Sequence, residues 1–184
     1  MAVSAKTRAK KAHARKASSS RSAVPKRRAP SNGQSAIELL EQDHREVEDL
    51  FDRYEELPSE EEKGELAKKI CAALKVHTEL EEEIFYPQAR EATEDEDLID
   101  ESLVEHGSAK QLIEEIESME PGDDLYDAKV KVLGEMIKHH VQEEEEELFP
   151  QVKKAKMDLE GVGKQLAERK QELMSELGAE ENVE

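Results

Sequence analysis

His140-Val-Gln-Glu-Glu-Glu-Glu-Glu-Leu-Phe-Pro150 decides the reading of this chain, because the chain has already said nearly the same thing at His77-Thr-Glu-Leu-Glu-Glu-Glu-Ile-Phe-Tyr-Pro87. In both copies the His stands ten residues before a Pro and a Glu follows the His by four: Glu81 after His77, Glu144 after His140. Residues i and i+4 share one face of a helix. Each copy therefore offers an imidazole beside a carboxylate, and two such pairs in one small chain suggest a metal site.

Working outward, the flanking residues give each copy its helix. Leu66, Ile70, Leu74, His77, Glu81, Ile84 and Phe85 fall on one stripe; Val130, Leu133, Ile137, His140, Glu144 and Leu148 fall on another. Upstream of each lies a further helix carrying a lone His on its apolar stripe, His44 between Leu40 and Val47, and His106 between Leu103 and Ile113. Asp43-His44 matches Glu105-His106. The chain is thus a duplicated hairpin, with a lone His on the first helix and His-x-x-x-Glu on the second. Ser35 with Glu38 and Ser59 with Glu62 read as capping boxes for the first two helices. Thr93 to Glu96 opens the third, and Asp123 or Asp124 caps the fourth. Pro87 and Pro150 are expected to kink or end their helices. Four antiparallel helices with short links make an all-α, up-and-down four-helix bundle over residues 34–155. Residues 156–184 add a C-terminal amphipathic helix and an acidic tail.

Composition agrees with helices. Aromatics are 3% and charged residues 40% of 184 residues, with 8 Gly and 6 Pro, which suits striped helices better than a β-sandwich. The single Cys71 cannot form an intramolecular disulfide or a cysteine-based metal site, and it fits a reducing, cytoplasmic setting. No apolar run is long enough to span a membrane. The net charge of −19 is unevenly spread: the first 31 residues hold ten of the 27 Lys/Arg and none of the 46 Asp/Glu. Residues 1–33 therefore read as a disordered tail, either solubilising or making non-specific contact with nucleic acid, which would put the protein at the nucleoid, with an Arg- and Ser-rich transit peptide ranked behind both.

Six polar residues on core stripes need an explanation, since a buried imidazole or carboxylate is costly unless paired or bound to a metal. His44, His77, Glu81, His106, His140 and Glu144 can converge where the stripes meet. Four nitrogens and two carboxylates suffice for two metal ions, and the mixture suits iron, with manganese or zinc behind it. Lys110, Tyr54 and Glu145 are candidate neighbours of that set. Glu79, Glu82, Glu83, Glu143, Glu146 and Glu147 read mainly as a solvated face, and His139 as a residue off the stripe.

On these motifs the chain resembles the haemerythrin-like, or HHE cation-binding, family. The resemblance covers about residues 35 to 155, including the Phe-Tyr-Pro and Leu-Phe-Pro endings. It implies a non-haem di-iron centre with two bridging carboxylates and an oxo or hydroxo bridge, the six residues being its ligands and Glu81 and Glu144 the bridges. Two positions depart from the oxygen-carrying members. Lys110 stands where the carrier has a further His. The carrier's last carboxylate lies five residues after its His, where this chain has Glu145, so Glu144 and Glu145 both remain open for that role. The expected function is a di-iron protein that binds, senses or detoxifies dioxygen, peroxide or nitric oxide, or handles iron. The alternatives are a peroxide-decomposing di-iron enzyme and a DNA-associated structural protein with a metal-stapled bundle.

Overall fold

A computed structural model describes residues 33–93 and 96–180. The expectations about the basic segment fall, apart from Gly33, outside the described residues. Helix α1 spans Ala36–Glu56, α2 Glu60–Leu80, α3 Tyr86–Ala92, α4 Asp97–Glu117, α5 Tyr126–Glu143, α6 Phe149–Ala155 and α7 Leu159–Glu180. Two wider π turns, Glu81–Phe85 and Glu144–Leu148, join α2 to α3 and α5 to α6. The four arms of the bundle are α1, α2–α3, α4 and α5–α6. Around it α1 packs on α2 and α5, and α4 on α2 and α5. Helix α7 lies against α1, α2 and the first π turn.

Local chemistry sets most of the ends. Ser35 and Glu38 form the full capping box of α1, and the Ser59 hydroxyl accepts from Glu62 N–H at the start of α2. The next two starts differ from the expected ones. The Thr93 hydroxyl donates back to Ala89 O and so closes α3, while α4 begins at Asp97 without a side-chain cap. Helix α5 starts after Leu125 in the left-handed region, and the Asp123 carboxylate accepts instead from Glu120 N–H.

Neither Pro87 nor Pro150 ends its helix. Each follows a π turn in which the residue before the Pro donates its N–H five residues back, Tyr86 to Glu81 O and Phe149 to Glu144 O. The added residue per turn shifts the helix register just before the Pro, whose missing N–H would otherwise interrupt the ladder.

The stripes bury two apolar clusters. One holds Leu40, Leu80, Phe85, Tyr86, Ile99, Phe149 and Val152 with Val162, Leu166 and Leu173 of α7. The other holds Val47, Leu50, Tyr54, Ile70, Leu74, Ile113, Leu133 and Ile137. Each fully buried side chain of this kind contributes about 1.5–3 kcal/mol. Leu103, expected on the third stripe, is 39% exposed. Between the clusters, at one level of all four arms, lies a layer of buried polar residues.

Candidate metal centre

That layer is His44, His77, Glu81, His106, His140 and Glu144, each at most 5% exposed. The stripes bring all six together. His44 Nε2 lies 3.2 Å from His77 Nε2, and His106 Nε2 lies 3.1 Å from His140 Nε2. Glu81 Oε2 is 3.2 Å from His77 Nε2 and 3.4 Å from His106 Nε2. Glu144 Oε2 is 3.2 Å from His44 Nε2 and 3.7 Å from His140 Nε2. Both carboxylates thus stand between two imidazole pairs, each reaching one ring from either hairpin.

The outward-facing nitrogens explain why the Nε2 atoms point inward. His44 Nδ1 is 2.9 Å from Glu145, His106 Nδ1 3.0 Å from Glu82, and His140 Nδ1 2.8 Å from Glu105. His77 Nδ1 has Asp43 at 3.9 Å. A carboxylate on Nδ1 favours the tautomer with its proton there, which leaves the Nε2 lone pair facing the centre. The acids follow a repeat of their own. Asp43 and Glu105 precede the lone His of each hairpin, and Glu82 and Glu145 follow the Glu of each His-x-x-x-Glu.

Glu82 is therefore not a solvated residue. It bridges His106 and Lys110, whose Nζ is 2.6 and 2.7 Å from its oxygens. Glu83 pairs with Arg169 of α7. Glu145 sits outside the ring, on His44 Nδ1 and Arg45. Tyr54 is not a neighbour of the layer: its ring packs in the apolar cluster beyond it and its hydroxyl donates to Asp127 at 2.7 Å. The aromatic hydroxyl at the layer belongs to Tyr86, which donates to Glu144 at 2.9 Å and lies 3.4 Å from Glu81 Oε2 and His106 Nε2. Its counterpart in the second hairpin, Phe149, stacks on His44 with centroids 5.8 Å apart. The matched Phe-Tyr-Pro and Leu-Phe-Pro endings were the signal for both. His139 is exposed, with Nε2 3.4 Å from Glu143.

The residues present fit a pair of cations. Glu81 Oε1 and Glu144 Oε2 are buried without hydrogen-bond partners. Facing Nε2 lone pairs at 3.1–3.2 Å repel unless a proton or a metal lies between them. Without metal, protons serve. Burial disfavours the imidazolium, but Glu81 and Asp43 outweigh it at His77 and raise its pKa to about 10. At His140 burial is likewise outweighed, by Glu105 and Glu144. Glu81, against the cost of burial, is held well below the usual carboxylate range by His77 and His106. The donor atoms group as His44, His77, Glu81 and Glu144 on one side and Glu81, His106 and His140 on the other.

The model of the Hemerythrin HHE cation binding domain matches residues 35–152. The chain belongs to this family. Its fold is also that of the crystal structure of a hemerythrin HHE cation binding domain-containing protein from Mycobacterium kansasii. That match has a TM-score of 0.70 and 22% identity, and covers 82% of this chain and 94% of that one. A DNA nickase of Nostoc sp. is 28% identical over 116 residues. The match takes in 63% of this chain and 33% of the nickase, so the chain spans about a third of that relative's length. Membership of an HHE family and the His/Glu clusters together support metal binding by this chain. Among the described residues no helix is long and apolar enough to cross a membrane.

Proposed function

We propose that this haemerythrin-like protein is a non-haem di-iron protein whose small ligand is dioxygen, peroxide or nitric oxide. One iron would take His44 and His77 and the other His106 and His140, with Glu81 and Glu144 shared. The observation that carries this reading is the convergence of four Nε2 atoms on two buried carboxylates that retain unpaired oxygens. Mixed imidazole and carboxylate donors suit iron, and four protein ligands per ion leave open positions. Bound there, iron would supply the redox chemistry and those positions.

The chain's own residues do the rest. Glu82, Glu105 and Glu145 orient their imidazoles and strengthen them as donors, while Asp43 faces His77 Nδ1 at 3.9 Å. Leu40, Leu80, Phe85 and Phe149 keep the layer dry. The Tyr86 hydroxyl holds its proton on Glu144, the one phenol proton at the layer among the described residues, and burial and the two glutamates hold its pKa well above the ordinary value. Lys110 is engaged by Glu82, so it does not serve as a free cation for a bound peroxide.

Anaerobic addition of Fe(II) to the purified chain should give two iron per chain by elemental analysis. Dioxygen, peroxide or nitric oxide should then produce a new optical band. A chain that stays colourless and refuses iron refutes the reading. Catalytic consumption of peroxide that is lost in His106→Ala would place the protein with the peroxide-decomposing enzymes instead.

A second reading concerns residues 1–33, where ten Lys/Arg stand without an acid in the first 31 residues. Non-specific contact with nucleic acid predicts salt-sensitive DNA binding that vanishes when these residues are removed. Binding that survives the truncation refutes it.

A further inference from the structure

We propose that Lys170, on α7 outside the duplicated hairpins, is a positioning residue for the His44/His77 half of the layer and acts through Asp43. The inference rests on the metal-centre reading above. It makes α7 part of the site rather than packing laid over it.

Asp43 is 5% exposed. One of its oxygens accepts from the Lys170 ammonium, and the other lies 3.9 Å from His77 Nδ1. His77 Nδ1 is the exception among the four imidazoles, being buried and without a hydrogen-bond partner. The three other outward carboxylates close on their rings at 2.8–3.0 Å. Two of these have a cation within the bundle, Arg45 at Glu145 and Lys110 at Glu82, and Glu105 has His139 Nε2 at 3.9 Å. Asp43 draws its lysine from α7.

A buried carboxylate with no cation beside it is costly. The ion pairs that Asp43 makes among the described residues are with His77 and Lys170. When the Nε2 of an imidazole bonds a cation, its Nδ1–H becomes more acidic and needs an acceptor. Asp43 Oδ2 reaches hydrogen-bond distance of His77 by moving about 1 Å. Lys170 anchors that carboxylate for the movement.

Helix α7 is seated firmly enough to do so. Val162, Leu166 and Leu173 are buried in the cluster beside the layer. At Gly163 the backbone rests on the start of α1, where a Cβ would collide with Gln34 O and stand 2.8 Å from Ala36 N. Arg169, the neighbour of Lys170, pairs with Glu83 in the first π turn at 2.7 Å. That tie docks the same turn of α7 but touches no imidazole, which separates docking from positioning.

The test is an anaerobic titration of the full-length, metal-free chain with Fe(II), repeated with Zn(II) as a redox-silent probe, against a competing chelator. The wild type should take up two equivalents. Lys170→Met should keep one at wild-type affinity and bind the other 10–100-fold more weakly. Lys170→Arg should restore it, and Arg169→Met should leave both unchanged. Two wild-type equivalents in Lys170→Met overturn the proposal, as does an equal loss in Arg169→Met. Should Lys170→Met fail to fold, Asp43→Asn/Lys170→Met leaves no uncompensated charge and must show the same single loss; retention of both equivalents overturns the proposal. A wild-type chain that takes neither ion refutes the metal-centre reading and this proposal with it, a result distinct from a defect confined to the variants.

Discussion

Glu144→Gln and Glu145→Gln make the same exchange of an amide for a carboxylate one position apart, yet they should separate cleanly. Glu144 is 1% exposed, and its Oε2 has no hydrogen-bond partner while lying 3.2 Å from His44 Nε2 and 3.7 Å from His140 Nε2. Its loss removes a donor from both imidazole pairs. Glu145 has a side chain 25% exposed and accepts on the far nitrogen of His44, with Arg45 behind it. Its loss leaves every inward atom in place and weakens the orientation of one ring. Removing such an outer partner lowers metal affinity roughly 10–100-fold, or about 1.4–2.7 kcal/mol. In an anaerobic Fe(II) titration read by elemental analysis and optical absorbance, Glu145→Gln should keep two equivalents, one of them weakened by that factor. Glu144→Gln should fall below one tight equivalent per chain. Near-wild-type binding in Glu144→Gln together with loss of iron in Glu145→Gln would refute the assignment, and with it the inference from buried, unpaired oxygens.

Other consequences can be measured separately. Tyr86→Phe deletes a buried hydrogen bond to a carboxylate, worth about 1.5–3 kcal/mol, so the Tm of the metal-free protein should fall by roughly 3–12 °C; an unchanged melt by circular dichroism would show that the bond contributes nothing. In the metal-free chain the His77 pKa is raised to about 10, so this ring carries an extra proton at neutral pH that a cation must displace, and His140 is shifted in the same direction. Metal affinity should therefore rise from pH 6 to pH 8 with proton release, seen by calorimetry in buffers of different ionisation enthalpy; affinity that is flat or falling over that range would contradict these shifts. Cys71 is 1% exposed and burial pushes its thiol up to about 12, so the native chain should resist thiol reagents that label it fully in denaturant; rapid labelling of the native chain would contradict its burial.

The stripes carried most of what was legible. A His or Glu on an apolar stripe at 3.6-residue spacing lands in the core whatever its neighbours do, so the six inward residues and the order of the four arms followed from periodicity. What periodicity could not show is which way the remaining acids turn. Glu82 and Glu145 look like members of solvated runs, and only the packing of a second helix opposite them supplies an imidazole nitrogen. Asp43 and Glu105 were visible as a repeat, but their service to the ring on the neighbouring helix is a tertiary fact. The π turns were hidden for another reason. A Pro preceded by helix formers reads as a stop, and the register shift that avoids the clash leaves no mark in residue type. Tyr54 misled because an aromatic hydroxyl on the right stripe stood nearly three turns too far along α1, where Asp127 satisfies it.

Duplication makes two matched hairpins, so the places where the copies diverge say most about the layer between them. The inward set is the same in both: a lone His, then His-x-x-x-Glu. Two divergences touch it. Tyr86 in the first copy is Phe149 in the second, which puts a hydroxyl beside His106 and an apolar ring on His44. Asp43 in the first copy is Glu105 in the second, and the shorter acid is 3.9 Å from its ring where the longer one is at 2.8 Å. The extra helix lies against the first hairpin and places Lys170 on that shorter acid. The two imidazole pairs therefore share their carboxylates but not their surroundings. One pair is backed by α7 and faced by Phe149; the other has the Tyr86 hydroxyl 3.4 Å from His106 Nε2 and its Glu105 side chain 24% exposed. Two cations held there would be inequivalent because of the protein alone, before any small ligand chose between them.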